Sequence, residues 1–251
     1  MRVTFLGTGT SRGIPVIGCD CMVCRSENPK NKRLRSSVLI ESEASVVIDA
    51  SVDFRTQMLR HNVRRLDAVL YTHHHVDHIL GLDDVYPFNV WSKKALPIYA
   101  SPSTLREVKI TFRHLFSEPR YPGTALLEPF PVGGPFRIGD LEIEPIQVFH
   151  GQLPVLGYRL GEFAYLTDVN KIPRASLDQL RGVRYLALDG LRHREHPTHF
   201  SLSDAAAMAL ELRAERTYLI HMCHEVDHDE GNASLPEGVS LAYDGLVWEM
   251  N

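Results

Sequence analysis

Thr72-His73-His74-His75-Val76-Asp77-His78 follows directly on an apolar run, Leu66 to Tyr71. Its spacing, His-x-His-x-Asp-His, puts four metal-binding side chains within six residues. Imidazole nitrogen and carboxylate oxygen together suit borderline divalent cations such as zinc, manganese or iron. Residues 68–72 read as a buried strand, and strand side chains alternate between faces, so His73 and His75 are expected to point the same way. Asp77 and His78 then turn away from that pair, which makes room for a second cation. Two cations a few ångströms apart can share a hydroxide and hold a reacting phosphoryl or acyl group. A solvated polar loop is the alternative; four ligands at a strand end argue against it.

Outward from this stretch, strand-like and helix-like runs alternate along the whole chain. Residues 3–6, 37–41 and 46–48 read as strands, and 53–61 as a helix begun by an acidic residue. Residues 97–100 read as a strand and 104–116 as a helix; 118–135, rich in Pro and Gly, reads as loop with one short strand. Residues 141–148 alternate and lead into Phe149-His150-Gly151. Residues 158–160 and 163–166 form a hairpin around Gly161-Glu162, whose second arm runs into Thr167-Asp168. Residues 185–188 end at Asp189, and 217–220 end at His221. Ser201-Leu202-Ser203-Asp204 has capping-box spacing before an apolar helix face. Residues 239–243 and 246–248 are expected to close the chain as a hairpin. A strand whose last residue is His or Asp recurs, which favours one layered α/β domain with its site along one sheet edge.

The chain has 251 residues, of which 44% are hydrophobic and 23% charged, with a formal charge of -4. That balance provides no broad basic field for nucleic acid. No apolar run approaches the roughly 20 residues that span a bilayer, and residues 1–7 look like a first strand rather than a signal peptide. A cytoplasmic address is the default expectation. Cys19, Cys21 and Cys24 cluster, while Cys223 stands alone. Disulfides are disfavoured in a reducing compartment, so the three thiols suggest metal, and a closed zinc site needs a fourth ligand from elsewhere. Gly7 and Gly9 follow the first strand, yet Gly13 falls one position late and Pro15 replaces the helix that a dinucleotide fold requires. These glycines are expected to permit a tight turn near the metal edge.

His73, His75, Asp77 and His78, followed by isolated His150, Asp168 and His221, resemble the hallmark of the metallo-β-lactamase superfamily. The resemblance covers essentially all of residues 1–251 and implies an αβ/βα four-layer sandwich. It implies that His73, His75 and His150 hold one divalent cation and that Asp77, His78 and His221 hold another. Asp168 lies between them, and the cations are expected to be manganese or zinc, with iron as a further candidate. Within the superfamily, Cys19-Asp20-Cys21-Met22-Val23-Cys24 together with His221-Met222-Cys223-His224 resembles the phosphoribosyl cyclic phosphodiesterases of phosphonate breakdown. That likeness implies a structural zinc on Cys19, Cys21, Cys24 and His224, with His228 as a competing fourth ligand.

The same phosphodiesterases, and the tRNA 3′-processing nucleases, carry a proton-donating histidine just before the helix that Ser201 caps. His199 stands there, with His193 and His196 as nearby rivals. His199 and Asp77 are therefore the expected catalytic residues. The resemblance implies hydrolysis of a small phosphodiester, such as a ribosyl cyclic phosphate, by hydroxide held between two cations, with His199 protonating the departing oxygen. Arg192, Arg194 and Lys171 are candidates for a terminal phosphate. The group resembled is often homodimeric. Alternatives are a glyoxalase-type thioester hydrolase, a tRNA 3′-processing nuclease, and a non-catalytic protein of pyrroloquinoline quinone synthesis. An intact ligand set favours catalysis.

Overall fold

The computed structural model describes residues 1–119 and 121–250. Their strands form two seven-stranded sheets. The first takes β1 (Arg2–Gly7), β2 (Ser37–Glu41), β3 (Ser45–Ile48), β4 (Ala68–Leu70), β5 (Leu96–Ala100) and β6 (Leu127–Pro131). The second takes β7 (Phe136–Ile138), β8 (Leu141–His150), β9 (Leu153–Leu160), β10 (Phe163–Leu166), β11 (Tyr185–Asp189), β12 (Arg216–Ile220) and β13 (Val239–Leu241). The last strand, β14 (Val247–Glu249), returns to the first sheet beside β1. Each sheet is part parallel and part antiparallel: β3 to β6 run parallel, as do β10 to β13.

Alternation along the strands builds the layers. In β2, β3 and β4, Val38, Ile40, Val46, Ile48, Ala68 and Leu70 meet Tyr158, Leu160, Phe163 and Tyr165 of the second sheet. The intervening Leu39, Val47 and Val69 face the other way, onto Phe54, Met58, Phe88 and Val108 of the outer helices. Helices Arg174–Gln179 and Leu202–Leu212 cover the far side of the second sheet. The result is helix, sheet, sheet, helix: the metallo-β-lactamase fold. Strands buried on both faces need apolar residues at every position, and each such side chain contributes about 1.5–3 kcal/mol on burial. No helix among the described residues is long and apolar enough to cross a membrane.

Four expectations change. The anticipated closing hairpin does not form: β13 pairs parallel with β12, while β14 pairs antiparallel with β1 in the other sheet. The turn chemistry at Asp244-Gly245 is real, since Gly245 has φ +91°. Each arm instead finds an established sheet edge, and Trp248 gains Phe5, Tyr218 and Tyr185 as ring neighbours. The helix expected over 104–116 breaks at Phe112 into Pro102–Thr111 and Arg113–Phe116. Gly7 and Gly9 do not shape a turn. A Cβ on Gly7 would lie 2.0 Å from the Arg35 carbonyl oxygen, and one on Gly9 would lie 2.9 Å from the Arg33 Cβ, so they permit close backbone approach. Finally, β4 ends at Leu70, and His73 and His75 lie in the loop beyond it, with His75 capping helix Val76–Ile79. Their convergence comes from this loop rather than from strand alternation.

Candidate metal centre

Strand ends from both sheets meet at one edge, and the backbone there is strained in a repeated way. Asp49 follows β3, Asp168 follows β10 and His221 follows β12, with φ of +64°, +53° and +61°. Left-handed backbone costs a non-glycine residue about 1–3 kcal/mol and clusters at functional sites. Here it turns each side chain off its strand toward the shared edge.

The structure brings all seven expected ligands together. Ligand atoms of Asp77, His78 and His221 lie within 4.8 Å of one another, as do those of His73, His75 and Asp168, and those of His150, Asp168 and His199. His78 Nε2 is 3.2 Å from Asp77 Oδ2 and 3.1 Å from Asp168 Oδ2; His221 Nε2 is 3.4 Å from the same Asp168 oxygen. Asp168 thus touches both halves. The His150 ring stands 5.2 Å from that of His75 and 5.8 Å from that of His73.

A surrounding set of hydrogen bonds fixes which nitrogen faces inward. Asp49, fully buried, accepts from Thr72 N at 2.8 Å, Thr72 Oγ1 at 2.9 Å and His78 Nδ1 at 2.8 Å. The Thr72 hydroxyl proton is used there, so His73 Nδ1–H donates to Thr72 Oγ1 at 3.0 Å. His150 Nδ1–H donates to the Thr198 carbonyl at 2.8 Å. His73, His78 and His150 therefore present Nε2 lone pairs to the centre, as metal-binding imidazoles do. His73 Nε2, His78 Nε2 and both His221 nitrogens are buried without a hydrogen-bond partner.

Charge tells the same story. Asp49, Asp77, Asp168 and Asp189 are all buried at this edge. Burial opposes the charge of Asp168, but His221 and His78 hold it well below the usual carboxylate range. Burial likewise opposes a charge on His78, yet Asp168, Asp77 and Asp49 push its pKa well up. Buried carboxylates in this number are balanced by protons or cations beside them, and the inward-facing ring nitrogens mark where divalent ions would fit.

His199 occupies the rim. Its Nδ1–H donates to Asp189 Oδ2 at 2.7 Å, and its Nε2 lies 3.9 Å from Asp168 Oδ1. Burial lowers its pKa, but the Asp189 carboxylate prevails and raises it to about 9. The capping box at Ser201 and Asp204 starts helix Leu202–Leu212 just behind it. His193 is exposed, whereas His196 lies beside His199 with ring centroids 5.1 Å apart. Arg194 is paired to Glu225 at 2.7 Å, which ties its loop to a distant segment, and Arg192 Nη2 bonds the Glu195 carbonyl at 2.8 Å within the loop. Lys171 lies over the Phe149 ring.

Sequence reading overlooked Asp49 and Thr72. Asp49 carried a usable signal, since it too closes an apolar strand. Thr198 and Asn170 gave none: they act through a carbonyl and a side chain that bind residues far away in sequence.

A second cluster lies apart. Sulfurs of Cys19, Cys21 and Cys24 are 3.2, 3.5 and 3.8 Å from His224 Nδ1. Tetrahedral zinc with ordinary Zn–S and Zn–N bonds requires sulfur and nitrogen to be roughly 3.6 Å apart, so the four donors fit that ion. The Cys24 backbone N–H donates to Cys21 Sγ and, with further help from His224, lowers the Cys21 thiol to about 6 despite burial. His228 is elsewhere, against Tyr243 at 5.8 Å.

Residues 44–222 match the β-lactamase superfamily domain. The chain belongs to that superfamily and has the metallo-β-lactamase fold. The likeness reaches further in one direction. A structure described as a new diphosphatase from the PhnP family is 43% identical, with TM-score 0.93, covering 100% of this chain and 98% of that one. Zinc-bound PqqB from Methylobacterium extorquens, 17% identical over 100% of both chains with TM-score 0.79, shares the fold. A Porphyromonas gingivalis protein named octanoyltransferase is 41% identical over 98% of this chain and 51% of its own length, so the chain spans about half of that relative.

Proposed function

We propose that the chain hydrolyses a small phosphodiester, a cyclic one such as a ribosyl cyclic phosphate, at a pair of divalent cations. His73, His75 and His150 would hold one, Asp77, His78 and His221 the other, and Asp168 both; manganese and zinc suit these donors best, with iron a further candidate. Bound there, the ions supply Lewis acidity and lower the pKa of coordinated water to near 7. Cys19, Cys21, Cys24 and His224 would hold a structural zinc. A cytoplasmic setting, which keeps those thiols reduced, belongs to the same proposal. So does a homodimer, for which exposed Leu59 and Trp91, lining one groove, offer an apolar face; sedimentation of the purified protein checks it.

The observation that carries the reading is the His199–Asp189 pair. Asp189 holds the proton of Nδ1, so an imidazolium at His199 directs its Nε2–H into the centre. That proton serves a departing alkoxide, which is a poor leaving group; a thiolate leaves without such help. His199→Ala is expected to retain its metals and to lose about 10²–10⁴ in rate on an alkyl phosphodiester, while a p-nitrophenyl diester is far less affected. Equal loss on both substrates would remove His199 from the proton-donor role.

A second reading is hydrolysis of an acyl thioester, favoured by the relative named octanoyltransferase. Turnover of an octanoyl thioester at a rate above that of any phosphodiester would establish it instead.

A further inference from the structure

We infer that His196 is a second hydrogen-bond donor of this site, one that selects substrates whose departing fragment carries an acceptor beside the bond that breaks. The inference rests on the phosphodiester reading and deepens it.

His196 belongs to a loop that is tied down. Asn170 Nδ2 donates to the Pro197 carbonyl at 2.8 Å, and Gly151 N donates to Asn170 Oδ1 at 2.8 Å. Thr198 serves two imidazoles: its carbonyl accepts from His150 at 2.8 Å, and its backbone N–H donates to His196 Nδ1 at 3.3 Å. A backbone N–H can only donate, so His196 Nδ1 is the acceptor and the ring proton of the neutral form resides on Nε2. Nε2 lies on the ring edge away from that peptide, and among the described residues it has no hydrogen-bond partner.

The ring is half-buried beside His199, whose own ring is 4.5 Å from that of His150. The rim therefore offers two imidazoles with different duties. Hydrolysis forms one P–O bond to water and breaks another, and the departing oxygen takes its proton from His199. His196 transfers nothing; with Nδ1 engaged by the Thr198 N–H, the Nε2–H of its neutral ring is left as a donor on the rim beside His199. A polar donor held ready discriminates against substrates that leave it unpaired.

The test compares ribose 1,2-cyclic phosphate, with a hydroxyl on the carbon adjoining the cyclic ester, against cis-cyclopentane-1,2-diol cyclic phosphate, which lacks it. Both release an alkoxide-type oxygen, so both call on His199, and the comparison is of how His196→Phe changes each relative to wild type. His196→Phe is expected to raise KM for the ribose compound about tenfold and to leave the carbocyclic compound within about twofold, with metal content unchanged. His196→Gln keeps an N–H donor and is expected to recover most of the difference. Parallel loss on both compounds, or loss on neither, overturns the inference while the phosphodiester reading stands. A wild-type enzyme that prefers the carbocyclic compound also overturns it, and one that cleaves neither defeats both.

Discussion

The two donor clusters of this molecule are built on opposite plans. The Cys19, Cys21, Cys24 and His224 cluster gathers three donors from one short loop and offers the set that a single tetrahedral ion takes. Its neighbours are few: Ile14 and Val23 pack with Cys24, and Val16 flanks them. The His/Asp cluster gathers its ligands from four separate chain segments, over strained backbone and a buried carboxylate layer. One plan would close the coordination of an ion and so hold a loop. The other leaves ring nitrogens facing a shared carboxylate, with the His199–Asp189 pair on the rim, the arrangement on which the proposed chemistry rests.

If the plans differ in this way, breaking them must have different consequences. The largest effect is expected from Asp168→Ala, which removes the carboxylate that lies against both halves. Elemental analysis should show loss of both catalytic metals, and activity should fall by at least about a thousandfold; retention of two metals per chain would refute the shared-ligand role. Asp49→Asn leaves every ligand in place but loosens His78 and Thr72. Metal affinity at the catalytic cluster should drop about 10–100-fold, measured by competition with a chelator, with the zinc on the thiols unaffected.

Cys24→Ser sharpens the comparison from the other side. One zinc of about three metals per chain should be lost and the melting temperature should fall, while the rate of metal-replete protein changes only a few-fold. A rate loss as large as that of Asp168→Ala would show that the clusters are not separate in function.

The smallest effect concerns the base of the cysteine loop. Asp244 accepts from Thr8 N at 3.0 Å and Leu34 N at 2.7 Å, one residue on each side of the loop. Burial raises its pKa to about 7, against the hydrogen bonds that lower it. The folded protein thus binds this proton more tightly than the unfolded chain. The resulting stability is present below about pH 4 and is lost as pH rises toward 7. In urea titrations, the stability gap between wild type and Asp244→Asn should narrow over that range by up to about 1.4 kcal/mol per pH unit. A constant gap would show that Asp244 is ionised throughout.

Much of this was legible in the chain. Metal chemistry at residues 73–78 follows from residue type and spacing, because no other role requires so many ligands so close together. The strand-terminal Asp168 and His221 were visible because an apolar run that ends in a polar residue marks the sheet edge. The cysteine loop was equally plain, since three thiols within six residues have few other uses. What sequence could not supply was partnership across distance. Nothing near Asp49 names His78, nothing near Asp189 names His199, and nothing near Thr198 names His150 and His196 together. Nor does the local pattern of residues 239–248 reveal that its two strands belong to different sheets. Alternation and turn chemistry are local and survive in any short peptide. Pairing of strand edges and the meeting of buried charges depend on which distant surfaces are brought together, and only the packing of the two sheets decides that.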